Sequence, residues 1–502
     1  MTSPRKGVIW FGRQPSRETD VACVDRGLLL LVGQTTTSEA AWAAARGVVF
    51  ALSADEDGRA LETRWRMELR RALSHGLKVV VLTDLAHVAS VNYYVKTINR
   101  TLEPWGHNRE PQVAEEVARH DPGPAWSNMV AVDGDDQLGD EDKLLLRRAF
   151  GDCISVKLVP QLGGRSARVF CAYARLRDSR AGPLPLPFFV KLDKRTKIVR
   201  ELDNYRECTT LFIPFNQRPN LAVDRCAVGI DRGIIVGNFI EESVPLRELV
   251  EAGTARHAIN SLFNSALRGW RSQAYHDAAN TVNASLVTTL GHCMPSMYPP
   301  RRRANLVANA EAAMALGSTS LPDELETLLR QLPAIPHRCA LMHGDLHGDN
   351  VRVHATEAIL IDFTSVSRGP LVADPAALDV ALVMGTYALE GDAWLRFVQE
   401  CYALDCLCPV PPPADPAAPA AALWNSVRLI RQVGQVDQLS PFEYATAVAL
   451  YLLRRASYTA EHDEDPVRRA TAYLLAEHII FALNRQTAIN LKSYAVLAAT
   501  AI

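Results

Sequence analysis

The sequence predicts two folded parts, an α/β domain near the start and a larger α+β domain after it. Short apolar segments alternate with helical patterns over residues 1–103, which is typical of a parallel sheet with helices on its faces. Strand-like segments joined by turns fill residues 151–243. From residue 244 to residue 502, apolar residues recur mostly at helical spacing. The second part is therefore expected to have two lobes, an antiparallel five-stranded sheet followed by a helical lobe.

The first domain is predicted to contain four strands and three helices. Its strands are short apolar runs, several of them ended by glycine, and its second half contains an amphipathic helix. Ser38 is placed to cap the first of the helices. The predicted strands cover residues 7–12, 26–33, 48–52 and 78–82, and the predicted helices cover residues 38–46, 62–73 and 88–98.

This order of elements resembles a flavodoxin-like domain or a response-regulator receiver domain. Asp55 follows the third predicted strand and Thr83 closes the fourth, where a receiver keeps its phospho-acceptor and its switch hydroxyl. The resemblance departs after the first strand, because residues 12–14 (Gly-Arg-Gln) stand where a receiver has acidic metal ligands. We therefore expect a degenerate sensing or docking domain, and a protein partner that binds through it is left open.

Residues 104–150 are predicted to be a linker. They contain several prolines, little hydrophobic periodicity and an acidic run at residues 133–136. One short helix is expected at residues 113–119. The boundary between the two folded parts is placed within this segment.

A strand, a glycine-containing turn and a second strand begin the α+β domain. The turn consists of Gly163, Gly164, Arg165 and Ser166, and it joins predicted strands at residues 156–162 and 167–173. Backbone N–H groups in such a turn can bind phosphate oxygens, although the same residues also suit an ordinary hairpin.

A lysine at the end of the third strand is the next candidate residue. Lys191 closes the apolar strand of residues 187–192, and a helix predicted at residues 197–209 contains Glu201 and Glu207. Glu201 lies on the apolar side of that helix, so we expect it to pair with Lys191, with Glu207 as the alternative. Two further strands, at residues 225–228 and 233–240, complete the five-stranded sheet, and Glu241 begins the segment that joins the lobes.

The segment 343–350, His-Gly-Asp-Leu-His-Gly-Asp-Asn, contains the residues best suited to catalysis. An apolar run at residues 358–361 follows and ends in Asp362. Phosphoryl transfer needs a carboxylate near the acceptor hydroxyl and oxygen ligands for a metal that neutralises the phosphates. Asp345 suits the first task, and Asn350 with Asp362 suits the second, since Mg²⁺ takes few protein ligands beside phosphates and water.

The form of this segment, followed by Ile-Asp-Phe, resembles the aminoglycoside phosphotransferase and choline kinase branch of the protein-kinase-like fold. The resemblance covers about two-thirds of the chain, from roughly residue 152 onward. The fused architecture most resembles bacterial signalling or conflict-system proteins that contain a module known as a ternary complex associated domain.

The resemblance implies an ATP-dependent phosphotransferase with Mg²⁺. It implies that the turn of residues 163–166 covers the phosphates, that Lys191 held by Glu201 binds them, and that the backbone at Glu241 meets the adenine. It also implies that Asn350 and Asp362 bind the metal and that Asp345 is the base, while His343 and His347 shape the loop. A helix starting near Asp374 is expected to be capped by that residue, and Asp379 is expected to brace the catalytic loop.

Two alternatives to phosphoryl transfer stay open. A kinase-like module without turnover would report nucleotide binding to partners, although the filled base and metal positions favour activity. Nucleotidyl transfer would use the same residues to pass on AMP. The acceptor is not identified by the sequence, because aminoglycosides, choline-like alcohols, sugars and proteins are all compatible.

The overall charge argues against two classes of partner. The 54 basic and 56 acidic residues leave a formal net charge of −2, which gives no footprint for nucleic acid or an anionic membrane. No apolar run approaches the ~18–20 residues of a membrane span, and the run at residues 8–11 ends too early for a signal peptide. We therefore expect a cytoplasmic protein, and the Ala-, Arg- and Leu-rich segments indicate a GC-rich bacterial genome.

Overall fold

A computed structural model describes most of the chain and divides it into two compact units. Unit 1 comprises Met1–Leu202 and Asn220–Phe239, and unit 2 comprises Asp203–Pro219 and Ile240–Ile502. The described residues are 5–34, 37–54, 56, 58–99, 102–127, 130–134, 137–161, 167–386, 389–403, 407, 420–440, 442–459 and 465–499.

Unit 1 begins with a five-stranded sheet in which every pairing is parallel. The strand order is β2-β1-β3-β4-β5, the 2-1-3-4-5 order of one common doubly wound α/β sheet. The parallel sheet expected from the alternation of elements is thus present. Its strands are β1 (Gly7–Gly12), β2 (Leu29–Val32), β3 (Ala45–Ala51), β4 (Lys78–Thr83) and β5 (Pro104–Gly106).

Helices cover both faces of this sheet. Alternate residues of one strand point to opposite faces, so Ile9 and Val8 enter two separate apolar clusters. The helix between β1 and β2 was not predicted, because its mean hydropathy is low and few of its residues are buried. The helices are α1 (Arg17–Asp25), α2 (Glu39–Ala44), α3 (Gly58–Thr63), α4 (Arg66–Ser74), α5 (Val88–Ile98) and α6 (Val113–Arg119).

The segment predicted as a linker contains more structure than a linker would. It holds β5, the expected helix α6, strand β6 (Ala131–Asp133) and helix α7 (Asp140–Ala149). Arg148 on α7 is buried and donates to the carbonyls of Ser74, Pro122, Pro124 and Val228 at 2.7–3.1 Å. These bonds tie the first sheet, the connecting segment and the second sheet of unit 1 together.

The second sheet of unit 1 has six strands in the order β10-β11-β9-β8-β7-β6. Strands β7 to β11 pair antiparallel, as predicted, while the unpredicted β6 pairs parallel to β7. Apolar residues of α7 pack on one face and those of α8 (Arg195–Asn204) on the other. The remaining strands are β7 (Cys153–Pro160), β8 (Arg168–Leu176), β9 (Phe188–Lys194), β10 (Ala227–Val228) and β11 (Arg232–Asn238).

Unit 2 is mainly helical, with two small three-stranded sheets. Their orders are β12-β15-β16 and β13-β14-β17. The strands are β12 (Val244–Pro245), β13 (Thr281–Ala284), β14 (Ile335–Met342), β15 (Val351–His354), β16 (Glu357–Leu360) and β17 (Ser367–Pro370).

The helices of unit 2 include the helical segments expected from apolar spacing. They are α9 (Leu246–Glu251), α10 (Arg256–Ser261), α11 (Arg268–His276), α12 (Leu286–Thr289), α13 (Pro300–Met314), α14 (Pro322–Gln331), α15 (Ala373–Gly385), α16 (Gly391–Cys401), α17 (Ala421–Asp437), α18 (Glu443–Ala456) and α19 (Pro466–Ala499).

Among the described helices, none combines the length and the apolar character needed to span a bilayer.

Candidate active site

The predicted catalytic segment forms a loop between β14 and β15, and Asp362 follows β16, the partner of β15. Asp374 on α15 holds the start of this loop, because its carboxylate accepts the backbone N–H groups of His343 at 2.7 Å and Gly344 at 3.1 Å. The His343 ring lies 2.9 Å from the Ile361 carbonyl through Nε2. The hairpin and α15 therefore fix the loop from both sides.

The expected roles of the two aspartates on α15 require correction. Asp374 does not cap the helix, whose N-cap is Val372, but braces the catalytic loop. Asp379 does not brace the loop and instead forms a fully buried ion pair with Arg431, with Nε and Oδ2 2.6 Å apart. Tyr402 and Tyr444 donate their hydroxyls to the same carboxylate.

Gly344 in the loop and Asp362 after the hairpin both have positive φ angles. Gly344 has φ +75°, and a Cβ atom there would lie 2.4 Å from the Ser365 carbonyl oxygen, so only glycine fits. Asp362 has φ +62°, a left-handed conformation that aspartate tolerates better than most residues. Its Oδ1 accepts the Thr364 hydroxyl at 2.7 Å, which supports the turn.

Among the described residues, the side chain of Asp345 forms its ion pair with Arg454 of α18. The side chain of Asp345 is 42% exposed, and its Oδ1 accepts Nη2 of Arg454 at 2.9 Å. Nη1 of Arg454 donates to the Gly344 carbonyl at 3.1 Å. Burial opposes ionisation of Asp345, but Arg454, His347 and His343 outweigh it and lower its pKa below the ordinary value. Asp345 is thus an ionised carboxylate suited to accept a proton when a hydroxyl is placed on it.

Asn350 and Asp362 fit the role of metal ligands. Nδ2 of Asn350 donates to the Asp345 carbonyl at 2.9 Å, and no described residue donates to its amide oxygen. Asp362 is near enough to Asp345 for its charge to oppose ionisation of that residue. Two neighbouring carboxylates and an amide oxygen are the hard donors that a divalent cation such as Mg²⁺ prefers.

The two histidines of the loop differ in their surroundings. His343 is buried, and its Nδ1 has no hydrogen-bond partner among the described residues. Nδ1 of His347 accepts the Asp349 backbone N–H at 3.3 Å, and its side chain is 31% exposed. Both therefore make or adjoin contacts within the loop, and the role of Asp345 as the base stays a prediction.

Lys191 and Glu201 form a buried ion pair within unit 1. Nζ of Lys191 on β9 lies 2.8 Å from Oε2 of Glu201 on α8, and neither side chain is more than 8% exposed. Glu207 is exposed and lies in the π-helical turn after α8. This is the pairing that helix spacing favoured, while its role in binding ATP stays a prediction.

The remaining predicted residues either lie outside the described part of the chain or are exposed. Gly163, Gly164, Arg165 and Ser166 lie outside the described residues, as does Asp55 of the first domain. Glu241 is described, and its side chain is exposed in a turn of unit 2.

Arg454 is the residue that sequence reasoning missed. It lies 109 residues after Asp345, at the end of a helix whose apolar spacing marks it only as part of the core. An arginine in the last turn of a helix usually signals dipole compensation, so no local pattern connects it to the catalytic loop. Only tertiary packing reveals the contact.

Comparison with known proteins supports the predicted resemblance. The model of the phosphotransferase enzyme family matches residues 271–396, which contain the loop, Asp362 and Asp374. No protein with a curated function matches the chain.

Several solved structures are similar to the chain at low identity. Amicoumacin kinase in complex with AMP-PNP and Ca²⁺ is 14% identical, with 68% of this chain and 94% of that chain covered and a TM-score of 0.33. An aminoglycoside phosphotransferase from Streptomyces rimosus is 16% identical, with coverages of 59% and 98% and a TM-score of 0.29. A choline kinase from Cryptosporidium parvum is 11% identical, with coverages of 67% and 91% and a TM-score of 0.34.

These structures are too distant to assign an activity, whereas the family match falls on the segment that contains the catalytic motif. Residues 271–396 match the model of the phosphotransferase enzyme family, which supports over that segment the resemblance predicted from the motif.

Proposed function

We propose that the protein is an ATP-dependent phosphotransferase that moves a γ-phosphoryl group to a hydroxyl of a small molecule or a protein. The observation that supports this most is the composition of one loop and its hairpin. A partly exposed, ionised Asp345, an amide oxygen of Asn350 without a donor among the described residues and the carboxylate of Asp362 are the groups this reaction needs.

In this proposal Asp345 acts on the acceptor. Its carboxylate orients the hydroxyl and accepts the proton as the oxygen attacks the γ-phosphorus. Arg454 keeps the carboxylate ionised and in place, and Asp374 keeps the loop backbone in place through His343 and Gly344. His343 and His347 are positioning residues.

The residues that the resemblance assigns to nucleotide binding are proposed to have those roles here. Lys191 is proposed to bind the α and β phosphates, with Glu201 holding its ammonium group in position. The turn of residues 163–166 is proposed to cover the phosphates, and the backbone at Glu241 to meet the adenine. Asn350 and Asp362 would hold Mg²⁺, which when bound neutralises charge on the phosphate oxygens. The sensing or docking role of the α/β domain of unit 1 stays a prediction.

Thermal stabilisation by ATP tests the nucleotide and metal parts of this proposal. A ligand at a hundredfold its dissociation constant adds about 2.7 kcal/mol to the free energy of unfolding. We expect a shift that requires Mg²⁺ in the wild type, is lost in Asp362→Ala and is kept in Asp349→Asn. Asp349 is a suitable control because it lies in the same loop, is 43% exposed and pairs with Arg247. The absence of any shift at saturating ATP would contradict nucleotide binding.

Label tracing separates the candidate reactions. Protein incubated with γ-labelled and, separately, α-labelled ATP should transfer or release only the γ label. Transfer of the α label would indicate nucleotidyl transfer instead. Binding of ATP without transfer or hydrolysis would indicate a binding module that reports nucleotide to a partner.

A further inference from the structure

A group of arginines and tyrosines lies around Arg454, the partner of Asp345, in unit 2. We name Tyr298, Arg302, Tyr451, Arg454 and Tyr458 the arginine–tyrosine cluster. Tyr451 and Arg454 are three residues apart on α18, and Tyr458 follows four residues later, just beyond the helix end. Residues three apart share one face of a helix, so α18 directs Tyr451 and Arg454 to the same side.

Arg302 joins the cluster from α13. Its guanidinium donates to the Ser457 hydroxyl at 2.8 Å and to the Arg454 carbonyl at 3.2 Å. It also lies 4.9 Å from the ring centroid of Tyr298 and 5.2 Å from that of Tyr458. Arg302 is therefore held against Arg454 by aromatic faces and neutral oxygens.

The cluster has more positive than negative charge. In the part of the chain that the structure describes, Arg302 makes no ion pair, and the ion pair of Arg454 is with Asp345. The guanidinium of Arg454 has five N–H groups, more than its bonds to Asp345 and Gly344 use. Arg302 thus adds a positive charge without an ion-pair partner among the described residues, and the carboxylate that pairs with Arg454 is the proposed base.

Tyr451 supplies an independent observation. Its side chain is only 5% exposed, yet its hydroxyl has no hydrogen-bond partner among the described residues. A buried hydroxyl without a partner costs about 1–3 kcal/mol of stability, so such groups usually have a role. Tyr451 shares a helix face with Arg454, so its unused hydroxyl belongs to the same cluster.

We propose that the arginine–tyrosine cluster binds an anionic group of the acceptor, a carboxylate or a phosphate, a few bonds from the hydroxyl that is phosphorylated. This inference rests on the proposed phosphotransferase function and names its substrate class. Nη2 of Arg454 lies 2.9 Å from Oδ1 of Asp345, so a hydroxyl on Asp345 and an anion on Arg454 are close neighbours. Guanidinium groups match carboxylate and phosphate oxygens in geometry and charge.

The transfer itself balances with this acceptor. The acceptor oxygen forms a bond to the γ-phosphorus, the bond from that phosphorus to the bridging oxygen breaks, and ADP leaves. The hydroxyl proton passes to Asp345. The anionic group stays bound to Arg454 and is unchanged by the reaction.

The cluster also disfavours cationic acceptors. A cation placed next to Arg454 and Arg302 would meet two positive charges, and Asp345 is already paired with Arg454. An anion would instead share the donors of Arg454 with Asp345. The acceptor class is therefore set by Arg454 and its neighbours, whereas the reaction is set by Asp345, Asn350 and Asp362.

The test uses the full-length protein with Mg²⁺ and AMP-PNP and four probes on one carbon skeleton. Glycerate has a carboxylate, glycerol 3-phosphate has a phosphate, glycerol is neutral and 2-aminopropane-1,3-diol is cationic. Binding is measured by calorimetric titration. We expect both anions to bind on the order of ten- to a hundredfold more tightly than glycerol, the size of one charge-assisted hydrogen bond. The relative affinity of the two anions distinguishes a carboxylate from a phosphate.

Three variants complete the test. Arg454→Gln should remove the preference for anions, Arg454→Lys should keep part of it, and Tyr451→Phe should weaken anion binding without lowering thermal stability. Arg303→Gln is the matched control, because Arg303 lies on the same helix as Arg302, is exposed and pairs with Asp323. It should bind the probes like the wild type.

Each outcome bears on one of the two proposals. AMP-PNP binding with equal or no binding of all four probes would overturn the anionic acceptor while the phosphotransferase function stands. Anion binding that Arg454→Gln leaves unchanged would also overturn it, and a preference for the cationic probe would reverse it. Anion binding by a protein that does not bind AMP-PNP would support the cluster and contradict the phosphotransferase function.

Discussion

Arg148 in unit 1 and Arg454 in unit 2 are both shielded from solvent, but their partners differ. Arg148 is 1% exposed and donates only to backbone carbonyls, those of residues 74, 122, 124 and 228. Arg454 donates to one carbonyl and to the carboxylate of Asp345. The first arginine joins segments of the chain, and the second is joined to a candidate catalytic group.

The pKa values of the two guanidinium groups move in opposite directions. Burial, with repulsion from Arg5, lowers the pKa of Arg148 to about 9. Burial also opposes the charge of Arg454, but interactions with Tyr458 and Asp345 raise its pKa. The comparison shows how to separate the two kinds of buried arginine. One that bonds only to carbonyls stabilises the fold, whereas one held by a half-exposed carboxylate belongs to a site.

The largest expected effect is a loss of activity when Asp345, the carboxylate partner of Arg454, is substituted. Asp345→Asn keeps the shape of the side chain but removes the base, so we expect phosphoryl transfer to fall by about 10²–10⁴-fold. Stability should change little, because Asp345 is 42% exposed and Arg454 keeps its bond to Gly344. Both expectations, the fall in transfer and the unchanged stability, are checked by measuring γ-phosphoryl transfer and urea denaturation on one preparation. Unchanged transfer would show that Asp345 is not the base.

Arg148→Met is expected to have a smaller effect, a loss of stability without a loss of activity. The substitution removes the Arg148 donor from four carbonyls, of which that of Pro124 keeps its bond to Arg5, and it should lower the free energy of unfolding of unit 1 by about 2–4 kcal/mol. Arg147→Met on the same helix is the control, since Arg147 is only partly buried and its Nε has no partner among the described residues. Urea denaturation should show a lower free energy of unfolding for Arg148→Met and not for Arg147→Met. Equal stability of the two variants would remove the distinction drawn between Arg148 and Arg454.

Contacts between residues that are close in the sequence could be predicted, unlike those of these two arginines. The pair of Lys191 and Glu201 was predictable, because one strand and the helix that follows it position both residues locally. The spacing of Asp345, Asn350 and Asp362 was predictable for the same reason, since one loop and one hairpin contain all three.

Contacts that depend on distant packing were not predictable. Asp374 and Asp379 lie on one helix, and bracing of the loop was assigned to Asp379 instead of Asp374, because Arg431, 52 residues from Asp379, shows that Asp379 is paired in the core. Arg454 was missed because 109 residues separate it from Asp345. Arg148 was assigned to a linker because proline content outweighed the short amphipathic helix that contains it.

The smallest expected effect is a pH dependence of stability around Arg148. His75 is 2% exposed, and burial together with Arg148, Arg5 and Arg71 lowers its pKa to about 3. It therefore stays neutral in the folded protein, while in the unfolded chain it takes up a proton near its ordinary value of 6.5. The unfolded state binds more protons below that value, so stability is complete above it and is lost as the pH falls.

The loss due to His75 should amount to about 2 kcal/mol between about pH 7 and about pH 5. His75→Phe should remove this dependence, because phenylalanine does not titrate and can keep the ring contacts with Trp42 and Trp126. Nδ1 of His75 has no hydrogen-bond partner among the described residues, so the substitution removes no bond there. Urea denaturation of both proteins over this pH range measures the difference. Parallel curves for the two proteins would mean that His75 also takes up a proton in the folded state. The positive charges of Arg148 and Arg5 would then repel a protonated His75 less than their bonding to carbonyls implies.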